Sequence, residues 1–332
     1  MRTLRRQLIA IAMLLAGFVY INNTNLFAPK TPDKPVLLAH RGIAQRFDTT
    51  DLTNTTCTAT RMLPPTHGYL ENTIASMQAS FEAGGDIVEF DVHPTTDGQF
   101  AVFHDWTLEC RTDGRGATRE HTMAELKALD VGYGYTADGG RTYPFRGKGI
   151  GLMPSLEEVL QTFPKRSFLI NVKSNDPTEG DKLAAVLRRL TPERRNDLMV
   201  YGGDKPIAAL RRALPDLRSM SRDSLRACLI RYIAYGWTGH VPPDCSRMLV
   251  LVPINVAPWL WGWPDRFLSR MASVGSKVFT IGPYGGGDFS TGIDAPEDIA
   301  RLPEGYSGGV LTNEIEFVAR TLSSQHSKPK SP

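Results

Sequence analysis

The chain has 332 residues, of which 41% are hydrophobic and 22% charged, and its mean hydropathy is −0.23. These values are ordinary for a folded globular protein. They exclude a disordered chain, a collagen-like repeat and a polytopic membrane protein. The net charge of +3 is too small to indicate the concentrated basic face that nucleic-acid binding requires. We therefore expect no nucleic-acid partner.

The N-terminal segment is first basic and then apolar. Three arginines within the first six residues precede the apolar run 8–21, an order typical of a secretory signal. The run is shorter than the roughly 20 apolar residues of a spanning helix, and no clear cleavage site follows it. Residues 1–28 are therefore either a cleaved signal peptide or a membrane anchor, and the proline-containing stretch 29–35 is a linker. In both cases we expect the rest of the chain to be periplasmic or secreted.

Four cysteines occur without a Cys-x-x-Cys pair, which argues against a zinc site. In an exported protein disulfides are plausible. Proximity in the sequence favours the pairs Cys57–Cys110 and Cys228–Cys245, although three pairings are possible and free thiols are the alternative.

Short β-rich runs alternate with helical patterns from residue 36 onward, which indicates a parallel sheet with helices outside it. An α/β chain of this length fits a TIM (β/α)8 barrel, here at 36–322 with a flexible tail at 323–332. The strand candidates are 36–40, 87–93, 100–104, 167–173, 198–201, 217–221, 248–254, 277–281 and 309–312. Nine candidates exceed eight, so one is surplus, and 217–221 and 248–254 show the weakest pattern.

Helical patterns lie between several of these strands. One of them, 155–162, opens with Ser155 and has Glu158 three residues later, which predicts a capping box. The other candidates are 72–83, 180–190, 206–214 and 264–274. Two long connections, 43–70 and 105–153, remain, and long loops in compact domains usually carry function.

Polar and ionisable residues gather where the apolar strands end. Side chains alternate along a strand, so Glu89 and Asp91 share one face of their strand. Two carboxylates on a buried face call for a cation, because an unpaired buried charge is costly. Each such residue alone has an ordinary structural explanation, but the carboxyl ends of barrel strands converge at one mouth. The residues at these ends are His40, Arg41, Glu89, Asp91, His104, Asn171 and Lys173.

At these positions the sequence resembles the glycerophosphodiester phosphodiesterase family, over roughly residues 36–318. The resemblance implies a TIM barrel, in agreement with the alternation of strands and helices. The motifs that carry it, in the order of the family, are His40-Arg41-Gly42, Glu71-Asn72-Thr73, Glu89-Phe90-Asp91-Val92, Phe103-His104-Asp105, Asn171-Val172-Lys173 and Gly308-Gly309-Val310-Leu311-Thr312-Asn313.

The resemblance also implies a role for each matching residue. His40 and His104 are expected to be the catalytic acid and base, Arg41 and Lys173 to bind the substrate phosphate, and Glu71 to support the His40-Arg41 region. Glu89, Asp91 and Asn171 are expected to hold one divalent cation, Ca²⁺ or Mg²⁺.

Asn171 departs from the family, since many members have Glu at this position. An amide oxygen can still bind a hard cation, but the site loses one negative charge, and weaker binding is expected.

The expected activity is metal-dependent hydrolysis of glycerophosphodiesters to glycerol 3-phosphate and an alcohol. The substrate is expected to be a small glycerophosphodiester or a lysophospholipid-like molecule. Two alternatives remain open: a sphingomyelinase-D-like lyase that forms cyclic phosphates, and a non-catalytic barrel that binds glycerophosphodiesters. Trp259, Trp261 and Trp263 either form an apolar rim or pack in the core.

Overall fold

The computed structural model describes residues 2–29, 34–53, 55–286 and 291–326. Nine strands form one sheet. They are β1 (Val36–His40), β2 (Ile87–Pro94), β3 (Phe100–Val102), β4 (Ser167–Val172), β5 (Leu198–Gly202), β6 (Arg218–Ser221), β7 (Leu249–Pro253), β8 (Lys277–Ile281) and β9 (Gly309–Thr312).

Eight of the strands are parallel and form a nearly closed barrel, so the predicted TIM-barrel fold is confirmed. Their order is β6-β5-β4-β2-β1-β9-β8-β7. The first strand therefore lies between the second and the last. The connections between neighbouring parallel strands run outside the sheet, as in a barrel of βα units. The carboxyl ends of all eight strands meet at one mouth.

The strand that does not belong to the barrel wall is β3, and the expectation that 217–221 or 248–254 is surplus was wrong. β3 pairs antiparallel with the far end of β2, with Val92 opposite Val102. A tight turn at Asp97-Gly98 joins the two strands, and Gly98 has a φ of +81°. Such a turn makes a hairpin, because a parallel partner needs a crossover of a dozen residues. His104 thus reaches the mouth from a hairpin and not from a wall strand.

Eleven helices lie in the described part of the chain. The capping box at Ser155 is confirmed. The helices at 222–235 and 315–326 were missed, the first because its outer face carries isoleucines that blur the amphipathic pattern. The helices are α1 (Arg2–Asn23), α2 (Ile74–Glu82), α3 (Met123–Lys127), α4 (Leu156–Thr162), α5 (Pro177–Leu187), α6 (Pro192–Asn196), α7 (Asp204–Ala213), α8 (Arg222–Tyr235), α9 (Asp265–Ser273), α10 (Pro296–Ile299) and α11 (Ile315–His326).

The two long connections fold together over the mouth side of the barrel. Beside the main barrel core, a second apolar cluster is built from their side chains, among them Met62, Leu108, Leu126 and Met153. A buried cluster of its own gives these loops a fixed shape, because burial of each large apolar side chain contributes about 1.5–3 kcal/mol. The described parts of the loops are therefore packed around a core of their own.

Both disulfide pairs suggested by sequence proximity are confirmed. Cys57–Cys110 joins the two long connections, and Cys228–Cys245 joins α8 to the segment before β7. Trp259 is largely exposed, whereas Trp261 and Trp263 pack against the main core. The packing alternative is therefore confirmed for Trp261 and Trp263, and a rim role for Trp259 stays a prediction.

The N-terminal helix α1 is the one helix in the described residues that is long and apolar enough to cross a membrane. It extends over 22 residues and ends two residues after the apolar run 8–21. None of its residues is buried. Positions 30–33 of the expected linker and 327–332 of the expected tail lie outside the described residues, and α11 continues through His326.

The disulfide between Cys228 and Cys245 closes a loop of 17 residues. We expect the double variant Cys228→Ala/Cys245→Ala to lose about 3 kcal/mol of unfolding free energy, because the unfolded chain regains that loop's entropy. Denaturant unfolding under oxidising conditions measures the loss. Under reducing conditions the difference from the parent should largely vanish, and equal stability under oxidising conditions would contradict the expectation.

Candidate active site

The strand register brings the predicted acidic residues to one level of the mouth. His40 at the end of β1 lies beside Glu89 on β2, and Asp91 lies beside Asn171 on β4. Glu89 and Asp91 are both fully buried. A carboxylate in such a place must be neutralised by cations or hydrogen-bond donors.

Asp91 receives donors on both of its carboxylate oxygens. Its Oδ2 lies 3.1 Å from Arg41 Nε and accepts from Asn72 Nδ2 at 3.1 Å. Its Oδ1 accepts from Asn171 Nδ2 at 2.8 Å and lies 3.5 Å from Lys173 Nζ. Although burial alone would raise it, the pKa of Asp91 is held well below its ordinary value by Lys173 and Arg41. Asp91 is therefore an anion that fixes two cations at the mouth.

The loop after β1 adopts a left-handed conformation that aims Arg41 inward. Arg41 has a φ of 60° and Gly42 one of 77°. A side chain at residue 42 would meet Ser76 Oγ at 2.6 Å, so only glycine fits there. The turn places Arg41 NH1 3.1 Å from Glu71 Oε1. Glu71 and Asp91 thus contact different nitrogens of the Arg41 guanidinium, and the supporting role expected for Glu71 stays a prediction.

His40 is oriented by a neutral amide. Its Nδ1 lies 2.6 Å from Asn313 Oδ1, and the Asn313 amide donates to Asp294 at 2.7 Å. Since Asn313 Nδ2 faces Asp294, its oxygen accepts from His40, and His40 carries its proton on Nδ1. The free Nε2 lies 3.7 Å from Glu89 Oε2. Burial, reinforced by Arg41, lowers the pKa of His40 to about 3.

His104 is oriented by a carboxylate instead. Its Nδ1 lies 2.7 Å from Asp105 Oδ1, so that Nδ1 carries a proton, while Nε2 makes no hydrogen bond to another described residue. Burial and Arg41 lower the pKa of His104, while Asp91 and the hydrogen bond to Asp105 oppose that shift. The two histidines therefore differ in how well the protonated ring is stabilised, because a carboxylate stabilises an imidazolium and an amide does so only weakly.

Arg111 is one of the site residues that the sequence pattern did not reveal. It is 2% exposed and donates to Asp105, to Glu71 at 3.2 Å and to Thr58 at 2.6 Å. It therefore connects the carboxylate that holds His104 with the one that holds Arg41. Its neighbour in the chain is Cys110, whose disulfide fixes this part of the loop. No periodicity marks it, since its partners are far away in sequence.

Glu89 has one satisfied oxygen and one orphaned oxygen. Tyr201, also missed from the sequence, donates to Oε1 at 2.7 Å, while the buried Oε2 has no hydrogen-bond partner. Burial, together with Asp91, raises the pKa of Glu89 to about 8. An unpaired oxygen of this kind fits a bound cation, which would stabilise the anion.

The remaining expected ligand is Asn171, whose amide nitrogen is used by Asp91, which leaves its carbonyl oxygen for a cation. Within residues 2–29, 34–53, 55–286 and 291–326, no group of three or more His, Cys, Asp or Glu is arranged to hold a metal ion. A hard cation accepts amide as well as carboxylate oxygens. Glu89 Oε2 and the Asn171 carbonyl oxygen are thus open to such a cation, and Asp91, whose oxygens already receive donors, would add its charge beside them.

The structure brings all eight predicted site residues to the same mouth. His93 lies beside them but is buried, with Nε2 3.3 Å from the His104 carbonyl oxygen and its ring against Trp106. Its position is that of a packing residue. What each of the eight residues does there remains a prediction.

Comparison with known proteins identifies a family whose sequence pattern this chain matches. The model of the glycerophosphoryl diester phosphodiesterase family matches residues 40–206. This range contains all seven predicted site residues at the strand ends, and Glu71. The chain belongs to this family. A glycerophosphodiester phosphodiesterase of Bacillus subtilis (strain 168) is 30% identical over 197 residues, which cover 56% of this chain and 58% of the relative. The chain's match spans about half the length of the curated relatives it resembles.

Solved structures share the barrel. The glycerophosphoryl diester phosphodiesterase domain of Rv2277c from Mycobacterium tuberculosis aligns with a TM-score of 0.60 at 19% identity, covering 87% of this chain and 99% of that one. An Oleispira antarctica phosphodiesterase in complex with the product sn-glycerol-3-phosphate aligns with a TM-score of 0.54 at 18% identity, covering 89% and 97%. At these identities the likeness shows the fold.

We expect Arg111→Lys to lower kcat by about 10²-fold, a cost typical of misplaced catalytic groups. Lysine keeps the charge but cannot hold Asp105 and Glu71 together, since it lacks the planar fork of arginine. Arg194→Lys, which alters a half-buried arginine at the other end of the barrel that bonds backbone carbonyls, is the matched control. Steady-state kinetics on both variants provide the test, and equal activities would contradict the role of Arg111.

Proposed function

We propose that this protein hydrolyses glycerophosphodiesters to glycerol 3-phosphate and an alcohol at the barrel mouth. The observation that carries the proposal is the pair of histidines whose Nε2 atoms make no hydrogen bond to a described residue, beside the cations Arg41 and Lys173. A phosphodiester is an anion with a poor leaving group, so its cleavage needs positive charge, a base and an acid. The product named for the Oleispira antarctica structure supports the choice of glycerol 3-phosphate.

Arg41 and Lys173 are the phosphate-binding groups in this proposal. Both lie within 3.5 Å of Asp91, whose charge keeps them in place when no substrate is bound. Fixed cations need no reorganisation as negative charge develops on the phosphoryl oxygens. Arginine also offers paired donors that match phosphate oxygens.

His40 is the base that begins the reaction. Its lowered pKa keeps the imidazole neutral at physiological pH, and its Nδ1 proton is held by Asn313. The Nε2 lone pair can therefore take a proton from the glycerol hydroxyl next to the phosphate. That oxygen forms a bond to phosphorus while the bond from phosphorus to the alcohol oxygen breaks.

His104 is the acid that completes this step. His104 enters this step as the imidazolium, which the Asp105 carboxylate and the anionic phosphate of the substrate stabilise, and its Nε2 gives a proton to the departing alcohol oxygen. The product is a cyclic phosphate. Water then opens the ring with the roles reversed: His104 takes the proton of water, and His40 returns its proton to the glycerol oxygen. Both histidines end in their starting states.

A divalent cation, Ca²⁺ or Mg²⁺, would be held by Glu89, Asp91 and Asn171, and when bound it would polarise a phosphoryl oxygen. The orphaned Oε2 of Glu89 supports this assignment. Tyr201 supports Glu89 from the other oxygen and so directs Oε2 toward the mouth.

The barrel belongs outside the cytoplasm in this proposal. Disulfides persist in oxidising compartments, and both cysteine pairs are bonded. The basic residues before the apolar run are the part expected to stay in the cytoplasm.

Phosphorus NMR of a reaction with glycerophosphocholine tests the function directly. We expect glycerol 3-phosphate as the final phosphorus product in the presence of Ca²⁺ or Mg²⁺, and none after chelation with EDTA. Accumulated cyclic phosphate that never opens would assign a lyase, and binding without any product would assign a non-catalytic barrel.

A change of leaving group separates the two histidines. With glycerophosphocholine, His40→Ala and His104→Ala should each lose about 10²–10⁴-fold in kcat/KM. With a p-nitrophenyl glycerophosphodiester, whose phenolate leaves unprotonated, His104→Ala should recover to within about tenfold of the parent and His40→Ala should not. His240→Ala, an exposed histidine, serves as control. Recovery of His40→Ala instead would reverse the assignment.

Asn171→Glu should strengthen binding of Ca²⁺ by at least about tenfold. A tenfold gain in affinity requires about 1.4 kcal/mol, and the attraction between two unit charges 4 Å apart is about 4 kcal/mol at an effective dielectric of 20. Asn171→Ala should weaken it. Calorimetric titration measures both without reference to turnover. Unchanged affinity in both variants would show that Asn171 does not face the cation.

A further inference from the structure

The end of α1 is joined to the barrel by specific hydrogen bonds. Asn23 Nδ2 donates to the Trp237 carbonyl at 2.9 Å, and Arg270 donates to Asn23 Oδ1 at 3.0 Å and to the Asn22 carbonyl at 2.8 Å. Arginine is well suited to such multiple contacts. The last turn of the helix is thus part of the folded protein.

The polar residues just after α1 are held in the same way. Asn25 Nδ2 donates to the Trp263 carbonyl at 2.8 Å, and Arg266 donates to Asn25 Oδ1 and to the Thr24 carbonyl, both at 3.2 Å. A segment that is removed with a signal peptide has no need of side-chain partners in the mature domain. These contacts favour a helix that stays attached.

The contacts that hold the last turn of α1, with Trp237 and with Arg270 in the last turn of α9, lie toward the end of the barrel opposite the mouth. α8 begins after β6, at the mouth, and runs to the other end, where Gly236–Thr238 leads toward β7. Trp237 in this turn stacks edge-on against Phe18 of α1, with ring centroids 6.5 Å apart. At 1.5 Å per residue, the 14 residues of α8 separate the two ends by about 21 Å.

The surface near the attachment is apolar and aromatic. Ile230 and Ile233 project from the outer side of α8 and are 55% and 44% exposed, and Tyr235 at the end of the helix is 58% exposed. Tryptophan and tyrosine are enriched where a membrane protein meets the lipid headgroups. This surface is continuous with α1 through Trp237, so a bilayer crossed by α1 would lie against it.

We propose that α1 is a retained membrane anchor that holds the barrel with its N-terminal end toward the bilayer and its mouth toward water. If the proposed function holds, the substrate is then a soluble, fully deacylated glycerophosphodiester. A lysophospholipid keeps its phosphate at the headgroup level, about 20 Å from the mouth by the length of α8, and would have to leave the bilayer to react.

Tryptophan fluorescence tests the orientation. The full chain, purified from exporting cells, is placed in phosphatidylcholine vesicles with brominated acyl chains, which quench tryptophans near the bilayer. We expect Trp237→Phe to lower the quenching in part, because Trp261 and Trp263 also lie near the attachment, whereas Trp106→Phe, which alters an exposed tryptophan beside the mouth, should leave it unchanged. Quenching lost with Trp106→Phe and kept with Trp237→Phe would overturn the orientation.

Intact mass spectrometry of the same preparation tests the anchor. We expect a mass that includes α1 in the membrane fraction. A mature chain that begins at or after residue 24, found in the soluble fraction, would overturn the proposal.

The same vesicles test the substrate class, with glycerophosphocholine in solution and lysophosphatidylcholine in the bilayer. We expect rapid turnover of the first and loss of turnover for the second. Faster turnover of lysophosphatidylcholine would overturn this inference and leave the phosphodiesterase activity standing. Turnover of neither would refute the proposed function and the substrate class together, while quenching would still decide the orientation.

Discussion

The buried carboxylate of Asp91 is the constraint on which the site depends. A carboxylate with no exposed surface cannot remain ionised unless cations and donors surround it. Arg41, Lys173, Asn72 and Asn171 meet that requirement from four separate segments of the chain. The left-handed turn at Arg41 and the glycine after it follow from the same need, because only that turn brings the guanidinium over Asp91.

Neutralising Asp91 also prepares the mouth for a phosphate. The two cations are fixed before any substrate arrives, and the second carboxylate, Glu89, is left with one unpaired oxygen. The two histidines lie at the same mouth, His40 hydrogen-bonded to an amide and His104 to a carboxylate. Asymmetric support of two like groups is a common way to separate base from acid.

The sequence predicted the wall strands and the strand-end residues well, since the two-residue alternation of strands determines which side chains share a face. It did not separate β3 from the wall, because a short apolar run looks the same in either direction. The Asp97-Gly98 turn was the available signal. Arg111 and Tyr201 could not be found in this way, because their roles come from contacts between distant segments. The helix α8 was missed because its outer face is apolar.

The protonation states of the two histidines decide how the site works: His40 is neutral well into the acid range with its proton on Nδ1, and His104 keeps a proton on Nδ1, where Asp105 accepts it. Nitrogen-15 NMR of the imidazole rings over a pH titration measures tautomer and pKa together. We predict the Nδ1–H form for His40, which stays neutral at pH 5 because burial and Arg41 lower its pKa to about 3, and a proton on Nδ1 of His104 in both of its charge states. A His40 that protonates near its ordinary pKa of about 6.5, or that carries its proton on Nε2, would contradict this prediction.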